Sequence, residues 1–189
     1  MDLLINKIKA YLEKTFRDDP SRLKHIYSVE KMALRLGKIY QVDLNKLRIS
    51  ALLHDVAKNE DVDSMTLKLT EHFPTLELSN VPQGCLHAYI GAILAKEVFL
   101  IDDFDIINAI VYHCSGRAGM SSIEQIIYVS DYIEEHRAFV DNDLRTIAYQ
   151  DINKATAMIT DETIQYLKSH HRPVSFLTID ASNYYKKWR

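Results

Sequence analysis

Apolar residues recur along this chain at steps of three and four almost throughout. That spacing gathers apolar side chains into one stripe of a helix. It predicts helices near residues 2–16, 21–40, 44–58, 63–72, 84–99, 103–113, 121–137 and 150–170, and hence an all-α fold. Ser21, Asp43 and Ser121 each stand just before a periodic segment and read as helix N-caps. The stretch TEHFPTLELSNVPQG, residues 70–84, interrupts the period with two prolines and a glycine and reads as an irregular connection. With neither an internal repeat nor a low-complexity segment, the pattern predicts one domain. Its core spans about residues 18–140 and an ordered helical extension spans about 141–189.

Composition narrows the picture without changing it. The 189 residues can bury one sizeable core and are few for two. A net charge of −3 and the absence of a basic cluster argue against duplex nucleic acid as the main partner. No apolar run approaches the roughly 20 residues needed to cross a bilayer, so no membrane partner is expected. The start, MDLLINKIKA, is amphipathic and lacks the apolar region of a secretory signal. Two cysteines, Cys85 and Cys114, do not make a disulfide framework, and a reducing cytoplasm is the expected compartment. The sequence leaves room for a homodimer.

The eight histidines divide by context. His72, His136, His170 and His171 lie among polar neighbours. His25 begins the apolar stripe Val29, Met32/Ala33, Leu36; His54 ends the stripe Leu47, Ala51. His87 shares a face with Ile90, Gly91, Leu94 and Val98, and His113 closes the face Ile106, Ala109/Ile110. One such histidine is usually a core residue satisfied by a carbonyl. Four, each turned inward from its own helix, point elsewhere when Asp55 and Asp131 sit in matching apolar contexts, because a buried carboxylate is costly unless a cation meets it. Imidazoles and carboxylates together suit Zn, Mn, Fe, Co and Ni. Six protein ligands exceed what one catalytic zinc needs and match a two-metal site with a shared carboxylate.

The order His25, His54-Asp55, His87, His113, Asp131 resembles the HD-domain metal-dependent phosphohydrolases, whose name is the doublet His54-Asp55. The narrower resemblance is to the YqeK-type symmetrical bis(5'-nucleosyl)-tetraphosphatases, through LLHDVAK (52–58) and HCSGRAGMSSIEQIIYVSDYIEEHR (113–137). It implies an all-α bundle around a dinuclear centre, iron first, with Mn, Co, Ni or Zn as substitutes. His25, His54 and Asp131 would hold one ion, His87 and His113 the other, with Asp55 between them. The implied activity is hydrolysis of diadenosine tetraphosphate into two ADP by a metal-activated hydroxide. Related readings are a phosphohydrolase for another nucleotide and a non-catalytic nucleotide sensor. A cyclic-dinucleotide phosphodiesterase is disfavoured, because the Gly-Tyr-Pro signature of that branch is absent. The chain departs from the family where Cys114-Ser115 replaces Thr-Thr and where SDYIEE replaces ADYIEP.

Basic and polar neighbours suggest how phosphates would be met. Lys58 follows His54 by four residues, hence on the same helix face; spacing alone also fits a solvated helix-end lysine, and the resemblance selects a phosphate role. In CSGRAGM (114–120), Ser115 and Arg117 offer donors beside two glycines, as an anion loop or an ordinary turn. Arg137 could fork onto a phosphate or pair with Glu134. Cys114 reads as a small buried neighbour of the centre rather than a nucleophile. The terminal run Tyr184-Tyr185-Lys186-Lys187-Trp188-Arg189 reads as packing of a last helix.

Overall fold

The computed structural model describes residues 2–189 as ten α-helices. They are α1 Asp2–Thr15, α2 Pro20–Ile39, α3 Leu44–Leu53, α4 Val62–His72 and α5 Leu86–Glu97. After them come α6 Phe104–Tyr112, α7 Ser122–Ile133, α8 Asn142–Gln150, α9 Ile152–Ser169 and α10 Phe176–Tyr185. There is no strand among the described residues. No helix among the described residues is long and apolar enough to cross a membrane.

Asp43 and Ser121 cap α3 and α7 as expected, the latter through a full capping box with Glu124. Ser21 does not cap α2. Asp19 does, accepting from the Arg22 backbone N–H, because Pro20 takes the first helical position, where its missing N–H costs nothing. Two helices are shorter than their apolar period suggests. α3 stops at Leu53, so residues 54–58 form turns, and α7 stops at Ile133 instead of continuing to 137. Two helices, α8 and α10, lie within the expected helical extension but outside the stretches whose apolar spacing predicts a helix. The 70–84 segment is irregular apart from the end of α4 and short 3-10 turns.

Two apolar clusters flank the middle of the bundle. One joins Val29, Met32 and Leu36 of α2 to Ile126, Ile127 and Val129 of α7 and to Ile159 and Tyr185 near the C-terminus. The other joins Ile8 and Leu12 of α1 to Leu52, Ala95 and Ile110. Leu52 and Leu53 are fully buried, and truncating either to Ala would cost about 2–5 kcal/mol. The core therefore fixes where α3 ends, and the chain turns immediately afterwards into the space where α2, α5, α6 and α7 converge.

Candidate metal centre

His54 and His113 are positioned by the same device. Each follows the last residue of a helix, where backbone carbonyls lack intrahelical partners. His54 Nδ1 donates to the Ala51 carbonyl at 2.6 Å, and His113 Nδ1 donates to the Ile110 carbonyl at 2.7 Å. A carbonyl only accepts, so the proton sits on Nδ1 and the Nε2 lone pair points into the bundle. His25, within α2, contacts the Glu134 carboxylate through Nδ1 at 3.2 Å. His87 is the second residue of α5, and Gly91 one turn later lets that helix approach closely. A Cβ there would stand 3.2 Å from both the Leu53 carbonyl oxygen and Ile110 Cγ2. The glycine thus lets α5 lie against the turn that carries His54 and Asp55.

All six expected ligand residues come together. His25 Nε2 and His54 Nε2 are 3.4 Å apart, as are His87 Nε2 and His113 Nε2 at 3.3 Å. Asp55 lies between the pairs, with its two oxygens divided. Oδ2 faces His25 at 3.7 Å and His54 at 3.6 Å, while Oδ1 faces His87 at 3.0 Å and His113 at 3.6 Å. Asp131 Oδ1 joins the first pair, 3.0 Å from His25 Nε2 and 3.9 Å from His54 Nε2.

The donor set fits metal ions. At His54 and His113 a carbonyl holds the Nδ1 proton, so each turns an Nε2 lone pair toward the neighbouring imidazole, an arrangement that a metal cation would satisfy. Around a tetrahedral ion with bonds of about 2.0–2.1 Å, two nitrogens stand about 3.3 Å apart, close to the spacing of both pairs. The charge states of the imidazoles divide: burial opposes charge on His25, His87 and His113, but the nearby anionic groups Asp131, Asp55 and Cys114 outweigh it and raise all three. Burial holds His54 down to about 4, so it is a neutral ligand near pH 7. Burial pushes Asp55 up, but His54, His113, His87 and Lys58 outweigh it and hold the carboxyl well below its usual range. Asp131 is likewise pulled down by His25 and His54 against the effect of burial.

Cations surround this cluster. Lys58 Nζ lies 3.2 Å from His87 Nε2 and 3.7 Å from Asp55 Oδ1. It arrives there by the turn after α3 and not along a continuing helix face, since the helix has ended. Arg137 donates to Asp131 Oδ1 at 3.0 Å and to the Asp131 carbonyl at 3.2 Å; its approach to Glu134 is looser, at 3.9 Å. Arg22, which the sequence reading passed over, donates to Asp55 Oδ2 at 2.6 Å. Its position three residues before His25 was the available signal. Glu134, three residues after Asp131, carried the same signal. It accepts from the His136 backbone N–H at 2.7 Å besides facing His25.

Arg117 and Ser115 are placed differently. Arg117 forms a two-pronged pair with buried Glu124, at 2.6 and 2.7 Å, which ties the 114–120 turn to the cap of α7. Ser115 is buried, with its hydroxyl on the Gly116 carbonyl. Gly116 and Gly119 take φ of +62° and +63°, so the segment is a left-handed turn that side chains resist. Cys114 stands closer to the centre than expected, with Sγ 3.4 Å from His87 Nε2 and 3.3 Å from His113 Nε2. Beside it opens a cavity of about 680 Å³, lined in part by Gln83, Gly84, Cys85, Thr163 and Arg172. At the C-terminus, Tyr185 is buried in the core and Trp188 packs against it, so the aromatic run serves packing.

Residues 22–135, more than half of the chain, match the HD domain family. The chain belongs to that family. This HD protein is similar to the "Bis(5'-nucleosyl)-tetraphosphatase, symmetrical" of Bacillus subtilis (strain 168), 36% identical over 162 residues that cover 83% of this chain and 87% of the relative. The protein of that description from Halalkalibacterium halodurans is 34% identical over 154 residues, covering 81% and 82%. A solved structure from Clostridium acetobutylicum, described as a "predicted HD superfamily hydrolase involved in NAD metabolism", matches with a TM-score of 0.91 at 38% identity, over 97% of both chains. The HD fold and the clustered His and Asp donors together make this a divalent-metal centre.

Proposed function

We propose that this HD protein hydrolyses diadenosine tetraphosphate symmetrically, releasing two molecules of ADP. The observation that carries the reading is the divided Asp55 carboxylate, one oxygen toward each imidazole pair. Its similarity to symmetrical bis(5'-nucleosyl)-tetraphosphatases over most of the chain supplies the substrate. His25, His54 and Asp131 would hold one ion, His87 and His113 a second, and Asp55 both; iron is the favoured metal, with Mn, Co, Ni or Zn able to substitute. Ions so held would activate water near neutral pH and neutralise phosphate charge during in-line displacement.

The chain's own residues supply the rest. Imidazoles anchored through Nδ1 keep the donor set compact without having to reorganise. Lys58, Arg22 and Arg137 lie against the carboxylates of the centre and can each turn from a carboxylate oxygen to a phosphate oxygen. Lys58 flanks the His87 side and Arg137 the Asp131 side, so a polyphosphate crossing the centre meets a cation at either end. The cavity beside Cys114 has the size of a ligand site and accepts one nucleoside half. Water adds to one phosphorus, the P–O bond to the neighbouring phosphate breaks, and Lys58 meets the charge that develops on the departing ADP. The test is a turnover assay on metal-reconstituted protein with products resolved by chromatography. ADP alone is expected; release of AMP with ATP would overturn symmetrical cleavage.

A further inference from the structure

The His87 half of the centre contains a donor that neither the doublet nor the proposed ligand set includes. Cys114 Sγ, His87 Nε2 and His113 Nε2 form a nearly equilateral triangle with edges of 3.4, 3.3 and 3.3 Å. Asp55 Oδ1 lies 3.0 Å from one corner and 3.6 Å from another. The arrangement is the face of a coordination polyhedron. Around a tetrahedral ion with metal–nitrogen bonds of about 2.0–2.1 Å and metal–sulfur bonds of about 2.3 Å, N···N spacings are about 3.3 Å and N···S spacings about 3.5 Å. A single thiol proton cannot satisfy both ring nitrogens that face it, whereas one cation satisfies both nitrogens and the sulfur. Cys85 lines the cavity beside Cys114.

We infer that Cys114 is a direct thiolate ligand of the ion held by His87 and His113. The two halves of the centre then differ in softness: the His25 half is nitrogen and oxygen only, and the His87 half carries sulfur. Soft thiolate favours zinc, cobalt and iron over magnesium and manganese in that half.

The inference rests on the metal reading above and not on the substrate. Apo-protein is titrated with Co²⁺, and the thiolate-to-cobalt charge-transfer band in the near ultraviolet is followed together with bound cobalt. Wild type is expected to develop the band. Cys114→Ser is expected to lose it, while Cys85→Ser keeps the band. Two cobalt ions per chain with no such band in wild type would overturn the inference and leave the dinuclear reading intact. A band that survives in Cys114→Ser and vanishes in Cys85→Ser would also overturn it. Failure to bind cobalt at all would remove both readings. Inactivity toward diadenosine tetraphosphate with the band present would remove only the proposed substrate.

Discussion

The two halves of the centre are built from different parts of the helical frame. His25 lies within α2 and Asp131 within α7, helices whose apolar faces meet in the core cluster. His25 is braced by Glu134, and Asp131 by Arg137. The opposite half is assembled at helix ends: His87 in the first turn of α5, His113 just past α6, and Cys114 at the start of a turn. One half has two of its three side chains on long helices, with His54 alone at a helix end; the other is assembled wholly at helix ends, with a close glycine contact and sulfur. The contrast teaches that a symmetrical pair of imidazoles need not make a symmetrical pair of sites. Asp55 is the one group that both halves share.

That shared group gives the most drastic way to break the comparison. Asp55→Ala should remove the ions of both halves and abolish turnover, because no other carboxylate has oxygens facing both imidazole pairs. Elemental analysis after anaerobic reconstitution and the product assay check this together. Retention of one ion per chain with residual activity would mean that the halves are independent.

Lys58→Ala should separate binding of metal from use of it. Both ions should stay, since Lys58 is a cation beside the ligands and not one of them. A charge-assisted contact in a water-poor site contributes on the order of 2–4 kcal/mol to the transition state, or roughly 30- to 1000-fold in rate. The products should remain ADP alone. Wild-type turnover in this variant would transfer the phosphate role to Arg22 or Arg137.

Glu134→Gln sharpens the contrast on the His25 side. The carboxylate meets two donors, the His25 ring and the His136 N–H, each with a different oxygen. A glutamine amide keeps only one acceptor, so one of those donors would face an N–H₂ group. Loss of the group that orients a metal-binding histidine typically costs about 10- to 100-fold in affinity. Metal titration should show one of two ions weakened, with the other unchanged. Equal weakening of both would show that Glu134 acts on the whole centre.

Much of this was legible because the inward histidines sit on helices with strong apolar periods. α2, α5, α6 and α7 could be read from the apolar spacing, and with them His25, His87, His113 and Asp131. What escaped has physical causes. Periodicity cannot see a chain leave its helix, so α3 was carried through the turn that holds His54, Asp55 and Lys58. α8 buries only Leu144 and Ala148, too thin a stripe to register. α10 buries Thr178, Ala181, Ser182 and Tyr185, mostly small or polar residues whose spacing carries little apolar signal. Arg22 and Glu134 look like solvated charges until the fold shows what lies one turn away. Arg117 is the reverse case, since its place after a metal-site histidine suggests phosphate while the fold gives it a buried partner.

Arg117→Ala therefore carries the smallest expected effect on turnover. Glu124 is 2% exposed and receives two hydrogen bonds from the Arg117 guanidinium. Its remaining partner within the capping box is the Ser121 N–H at 3.4 Å. Removing one partner of a fully buried pair costs about 3–5 kcal/mol. Here the Arg117 side chain is about one-third exposed, so water can reach the vacated space and solvent screening reduces the cost to about 1–3 kcal/mol. The loss falls on the start of α7 and on the turn, whereas Asp131 lies at the far end of that helix, held by His25 and Arg137. Metal content, KM and kcat measured well below the melting temperature should stay near wild type while Tm falls. A raised KM with unchanged Tm would restore Arg117 to the phosphate site and separate it from Glu124.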